Sequence, residues 1–193
     1  MKALKLLTPI VLALFLSLPA VLSKAAAADY KADAETEALV KALPSAKITL
    51  EAGIEQVAKK PEAALSAKFE LEDGKLMFSV YTAEKGLDAD AEHNVLKEFG
   101  GVASEAKWAP KAEVFKDVEH VARSAAQLTL MQGSKVSLAD VIHSASKLEQ
   151  GTVFSVIPVS EGRHQIFRVL VAKDGKVTEL RFNAHNGQAV KKA

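Results

Sequence analysis

Apolar residues in this chain follow two periods, and the change from one to the other happens twice. Leu50, Ile54 and Val57 recur at i, i+4 and i+7, one face of a helix. Thr49 just ahead is placed to cap that helix by accepting a backbone N–H, and Pro61 stops it. Gly53 sits inside the helix at a cost of about 1 kcal/mol against alanine; either it lets a strand approach closely or it is merely tolerated, and both readings stay open. Leu65 to Leu71 then reads as a strand. Leu76, Phe78 and Val80 alternate with Met77, Ser79 and Tyr81, the period of a half-buried strand. Glu72-Asp73-Gly74-Lys75 between them is a hairpin turn, because Asp-Gly adopts positive φ at little cost.

The same order returns between Val136 and Val190. Ser137 caps, with Asp140 three residues on in a near capping box. Leu138, Val141, Ile142, Ala145 and Leu148 make a helical apolar face. Val153 to Val159 is the next strand, with Pro158 expected at an edge or bulge. Phe167, Val169 and Val171 line one side of a second strand, and Ile166, Arg168 and Leu170 the other. Lys173-Asp174-Gly175-Lys176 turns into a third strand bearing Thr178, Leu180 and Phe182, and Asn183-Ala184-His185-Asn186-Gly187 closes it. Strands joined by turns this short are antiparallel.

The rest of the chain is less regular. After Gly86 the first copy shortens. Asp90 to Leu96 resembles the closing turn from Asn183 to Val190, while a helix from Asp90 to Phe99, stopped by Gly100, is the alternative; both stay open. Gly100-Gly101 to Pro110 is a connector holding Trp108. Pro110 is placed at the first turn of a helix whose stripe is Val114, Val118, Val121, Ala125 and Leu128, ended by Gly133. That helix is expected to pack on its own sheet; a dimer-forming or partner helix is the alternative. Near the start, Glu35 to Leu43 favours a short helix with a weak apolar face that docks lightly before Pro44. The predicted fold is α+β: two tandem modules of a helix and an antiparallel β-meander, joined by a long amphipathic helix. The divisions are residues 1–28 (signal peptide), 29–47 (helical segment), 48–99 (worn module), 100–134 (linker and helix) and 135–193 (better-preserved module).

The order of cap, helix, strand, x-D/E-G turn, strand, D-G-K turn, strand and closing D/N-A-x-x-G turn resembles the PepSY family. The match is carried by Ser137-Leu138, Asp174-Gly175-Lys176 and Asn183-Ala184-His185-Asn186-Gly187, and only partly by residues 48–96, where the third strand looks cut down and Asn94 stands for the last glycine. The resemblance implies a small exported or membrane-tethered module of a kind also found in metallopeptidase propeptides, where it is associated with restraint of the peptidase. It transfers no catalytic residues, and no peptidase domain follows here, so a target would be a separate protein.

Composition agrees with export. Lys2 and Lys5 precede an apolar run from Leu6 to Leu22, and small residues at 25–28 suit cleavage after Ala27 or Ala28. The piece removed holds Lys2, Lys5 and Lys24 and no acid, so the net charge of +1 becomes −2 over the remaining 165 of 193 residues. Mixed signs near neutrality lack the clustered bases of a nucleic-acid footprint. No later stretch is long and apolar enough to span a membrane. Without cysteine there are no disulfides, and fifty-residue modules are marginal alone, so the two are expected to pack together.

Candidate chemistry is sparse. His93, His120, His143, His164 and His185 form no H-x-x-x-H or H-E-x-x-H pair. His93 and His185 fall in what read as equivalent exposed turns, and His143 sits beside the apolar face of its helix, a boundary residue rather than a ligand. Ser137 and Ser144 lack a G-x-S-x-G elbow. Glu70/Glu72 and Asp88/Asp90 read as solvated faces, Gly100-Gly101 is no phosphate loop, and Lys191-Lys192 is a short basic tail. We therefore assign no catalytic, cofactor or metal residue. The expectation is a non-enzymatic periplasmic or secreted binding or regulatory module acting on a protein partner, a peptidase among the candidates. The alternative is a small-ligand carrier with a groove between sheet and helices, suggested by the two-sided strand from Ile166 to Val171. A hydrolase with an unrecognised site ranks third.

Overall fold

The computed structural model describes residues 27–191. Most of the expected signal peptide, and Lys192, lie outside them. The elements in order are β1 (Ala27–Asp29), α1 (Ala34–Ala42), α2 (Leu50–Val57), β2 (Ala63–Glu72), β3 (Lys75–Ala83), β4 (Leu96–Val102), β5 (Lys111–Val114), α3 (Val118–Gly133), α4 (Leu138–Leu148), β6 (Thr152–Glu161), β7 (His164–Lys173) and β8 (Lys176–Asn183). The strands make one antiparallel sheet in the order β1-β8-β7-β6-β2-β3-β4-β5, and the fold is α+β. Ala27 and Ala28, at the expected cleavage point, pair with Leu180 and Glu179 on the β8 edge.

The two meanders meet through their first strands. The seam is short, with Ala67 opposite Val156 and Lys68 opposite Ser155. Its meaning comes from two bulges. In β2–β3 the pairs Ala64–Thr82 and Ser66–Tyr81 flank an extra residue, Leu65; in β6–β7 the pairs Val153–Val171 and Ser155–Leu170 flank Phe154. One constant spacing maps the first set onto the second, and the same spacing maps Ala67 onto Val156. A residue paired with its own counterpart marks a local two-fold axis, as in an isologous interface. Pro158 falls just past the seam, opposite Phe167 of β7.

Sequence signals set the local geometry. Asp73 and Gly74 take φ of 49° and 73°, as the Asp-Gly turn requires. Thr49 Oγ1 accepts from Ala52 N at 3.2 Å, and Ser137 and Asp140 complete a reciprocal capping box. On one face α2 and α4 cover Phe69, Phe78 and Val156. Gly53 permits this, since a Cβ there would stand 1.9 Å from Phe78 Cε1. Burying each such side chain is worth roughly 1.5–3 kcal/mol.

Several expectations need correction. The third strand of the first copy is complete: Phe78 faces Gly101 as Phe167 faces Phe182, and Ala83 faces Leu96 as Ala172 faces Val177. Residues 87–94 are inserted between Gly86 and this strand, which displaced it in the sequence reading. Neither the closing-turn match for Asp90–Leu96 nor the helix from Asp90 to Phe99 forms; residues 90–95 are loop and Leu96 begins β4. Gly100 and Gly101 are therefore strand residues. Trp108, 3% exposed, packs on Phe78 with ring centroids 4.8 Å apart and closes over Gly101, where the second copy has Phe182. Trp108 thus lies within the first unit and away from the seam.

The long helix also starts later. Val114 belongs to the edge strand β5, opposite Lys97, and Pro110 precedes that strand. Asp117 caps α3, accepting from His120 N at 3.0 Å. Its buried face is Ser124, Gln127, Leu128 and Met131, whereas Val118 and Val121 are exposed. The expected stripe is turned because α3 lies on the more polar side of the sheet, where Ser66 Oγ donates to Gln127 Oε1 at 2.8 Å. Nor does α1 dock lightly: Leu39, Val40 and Leu43 are all buried. They correspond by position to Gln127, Leu128 and Met131. Lys47 N donates to Ala103 O just as Lys135 N donates to Ala184 O. Each repeat is thus two helices followed by three strands, and α3 is the first helix of the second repeat as well as the connection between them.

Candidate functional site

The principal concavity lies where the two repeats adjoin. After α2 the chain passes through Lys60 and Pro61, joined by a cis peptide bond, into β2. Opposite, α3 ends at Gly133 and α4 begins at its cap Ser137. Loop 87–94 closes a third side, and the space between is an open cleft of about 880 Å³. Ile54, Leu87, Met131 and Leu138 give it apolar walls.

The inserted loop is held by a few polar side chains. Asn94 Nδ2 donates to Gly86 O at 2.9 Å and Ala89 O at 3.1 Å, and Asn94 Oδ1 accepts from Lys85 N at 2.9 Å. Gln132 Nε2 on α3 donates to Leu87 O at 3.0 Å and Ala89 O at 3.1 Å, tying the loop to the second repeat. Gly86 has φ of 77°, and a Cβ there would sit 2.5 Å from Pro61 O, so both backbone shape and space demand glycine.

Lys60, Lys85 and Lys135 stand exposed around the rim. Glu62 is engaged inward, accepting from Thr82 Oγ1 at 2.5 Å and pairing with Lys97 Nζ at 3.2 Å. The local two-fold generates a second cleft of about 230 Å³. There Ile142, Thr152 and Val153 take the places of Ile54, Ala63 and Ala64, and Leu50 that of Leu138. The second repeat has no inserted loop to wall this one, because Gly175 leads straight into β8.

A second polar cluster lies on the α3 side of the first meander. Glu70, read from the sequence as solvated, is half-buried, pairs with Lys68 and accepts from Ser79 Oγ at 3.1 Å. Burial raises the Glu98 carboxyl above the ordinary carboxylate range, with Glu70's charge adding and a Ser79 hydrogen bond opposing. Burial, and then the charges of Glu98 and Glu70, push the Tyr81 phenol up to about 12. Shifted groups mark candidate sites, but Ser79 is joined to the Glu70 and Glu98 carboxylates and not to a histidine. The nearby His120 ring stacks on Phe115, centroids 5.2 Å apart, and its Nδ1 lies 2.9 Å from Asp117. In the second repeat Arg181 is buried between Glu161 and Glu179, with Nε 2.6 Å from Glu179.

The histidines do not converge. His93 sits before β4, 2.7 Å from Asp90, while His185 follows β8, so the two are not in equivalent turns as expected. His143 and His164 are exposed on α4 and β7. Among the described residues, no group of three or more His, Asp or Glu side chains is placed to hold a metal ion. Ser137 is occupied with its capping box. The rim lysines escaped the sequence reading because they are scattered; the signal that could have found them is the extra length between Gly86 and Val95.

The molecule is an α+β protein built from an internal duplication, with an asymmetric cleft at the junction. No family model matches the chain. No curated protein matches it either. Among solved structures it is similar to a protein provisionally described as a lipoprotein, from Clostridium difficile 630. The two are 15% identical, with a TM-score of 0.40 over 76% of this chain and 92% of that one. A TM-score that low carries no statement about function. Among the described residues, no helix is long and apolar enough to cross a membrane.

Proposed function

We propose that this protein is an exported, non-catalytic binding module built from two PepSY-like units, acting in the periplasm or outside the cell on a separate protein partner. The observation that carries the reading is the junction cleft. It is concave, apolar-walled and shaped by an insertion that one unit has and the other lacks. Its volume is that of a ligand-binding cleft, and it is open enough to admit a segment of another chain. The order of cap, helix and three strands in both units supports the PepSY likeness, which implies a peptidase as partner class. Capture from periplasmic extract on the immobilised mature protein tests this: a specific protein retained by it is expected, and eluates matching those from bare resin would refute the reading.

A small-ligand carrier is the second reading, favoured by the same apolar walls. Native mass spectrometry of gently purified protein would then show a bound mass, and bare protein throughout would sink it.

A further inference from the structure

The two units differ in charge at the positions that match the rim of the larger cleft. Three residues before its strand, the smaller cleft's unit has Glu149; the larger cleft's unit has Lys60 at that place. One residue before the turn glycine, it has Asp174 where the larger has Lys85. Lys47 corresponds to Lys135. Two of three matched positions have thus reversed sign, and all three are basic around the enlarged cleft. Glu62 does not offset them, being paired with Lys97, and Asp88 is the other acid on the rim.

We propose that the junction cleft docks an extended peptide segment of a protein partner in which acidic side chains flank apolar ones. This rests on the binding-module reading above. The apolar side chains enter between Ile54, Leu87, Met131 and Leu138, and the carboxylates meet Lys60, Lys85 and Lys135. An open cleft of about 880 Å³ accepts several side chains without enclosing a whole ligand. Exposed ammonium groups steer an acidic segment to the site and fix its orientation.

The test uses the mature protein and two labelled ten-residue peptides, alternating Leu–Asp and alternating Leu–Lys, followed by fluorescence anisotropy. The variant Lys60→Glu with Lys85→Asp installs the second unit's residues at exposed positions, and an unchanged thermal melt checks that it folds. The Leu–Asp peptide binds the wild type, more weakly as salt rises. Each exposed pair is worth little, but reversal turns two attractions into repulsions, so the variant binds about tenfold more weakly. Unchanged affinity in the variant, equal binding of the Leu–Lys peptide, or no binding of either peptide overturns the proposal. Dodecanoate binding through the same lysines, with neither peptide bound, overturns the protein-partner reading as well. A partner captured equally by wild type and variant leaves the binding module standing and removes the acidic specificity of this cleft.

Discussion

Replacing Gly53 with alanine tests the close approach of α2 to the sheet. The added Cβ would stand 1.9 Å from Cε1 and 2.6 Å from Cζ of Phe78. Carbon atoms in ordinary contact are roughly 3.5–4.0 Å apart, so more than 1 Å of movement is needed. The ring has nowhere to go. Phe78 is fully buried, with Phe69 and Trp108 each 4.8 Å away between centroids. Overpacking of this kind costs about 1–3 kcal/mol, and the better helix propensity of alanine returns up to about 1 kcal/mol. The net expectation is a loss of about 1–2 kcal/mol, read as a lower urea midpoint with unchanged slope. At this chain length it is also a fall of about 2–8 °C in Tm. Shrinking the ring should relieve the clash, so Gly53→Ala with Phe78→Leu should lose less than the two single changes summed. Gly133→Ala is the control. It ends α3 with only the flexible Gln165 Oε1 within 4 Å, and should change stability by less than about 0.5 kcal/mol. A Gly53→Ala protein as stable as the wild type would refute the reasoning.

Three further outcomes are expected. Ser137→Ala removes one half of the α4 capping box and should cost about 1 kcal/mol in chemical denaturation; no loss would mean that Asp140 caps alone. Arg181→Met strands the buried Glu179 carboxylate and should cost about 3–5 kcal/mol in chemical denaturation at pH 7; a denaturation midpoint equal to the wild type's would contradict that cause. Glu98 has a raised carboxyl, so its contribution is present below the unfolded value and is lost as pH rises through the folded one. Glu98→Gln should therefore be more stable than wild type at pH 7, by a margin that shrinks towards pH 4, and equal denaturation midpoints at both pH values would count against the burial argument.

The junction cleft was hardly legible in the sequence. Its residues come from α2, the start of β2, loop 85–88, the end of α3 and the start of α4, and no local pattern joins those places. Lys60, Lys85 and Lys135 each read as ordinary surface residues. Only superposing the two repeats in register shows that Lys85 stands where the sibling has Asp174. That register was hidden by residues 87–94, which shifted the third strand, and by Gly100-Gly101, which resembles a linker while serving as strand under Trp108.

Local chemistry was enough to determine the caps at Thr49 and Ser137, the Asp-Gly turns, the strands of both hairpins and the fact of duplication. The caps and turns depend on neighbours within four residues, whose φ, ψ and hydrogen bonds the side chains themselves select, and the duplication shows because the same signals recur in the same order. Tertiary structure decided the rest. The pairing of Ala67 with Val156, the polar surface that turns α3 onto Ser124 and Gln127, and the firm docking of α1 all bring together residues far apart in the chain. Many registers and helix faces satisfy the same one-dimensional pattern, and only close packing of the whole sheet selects among them.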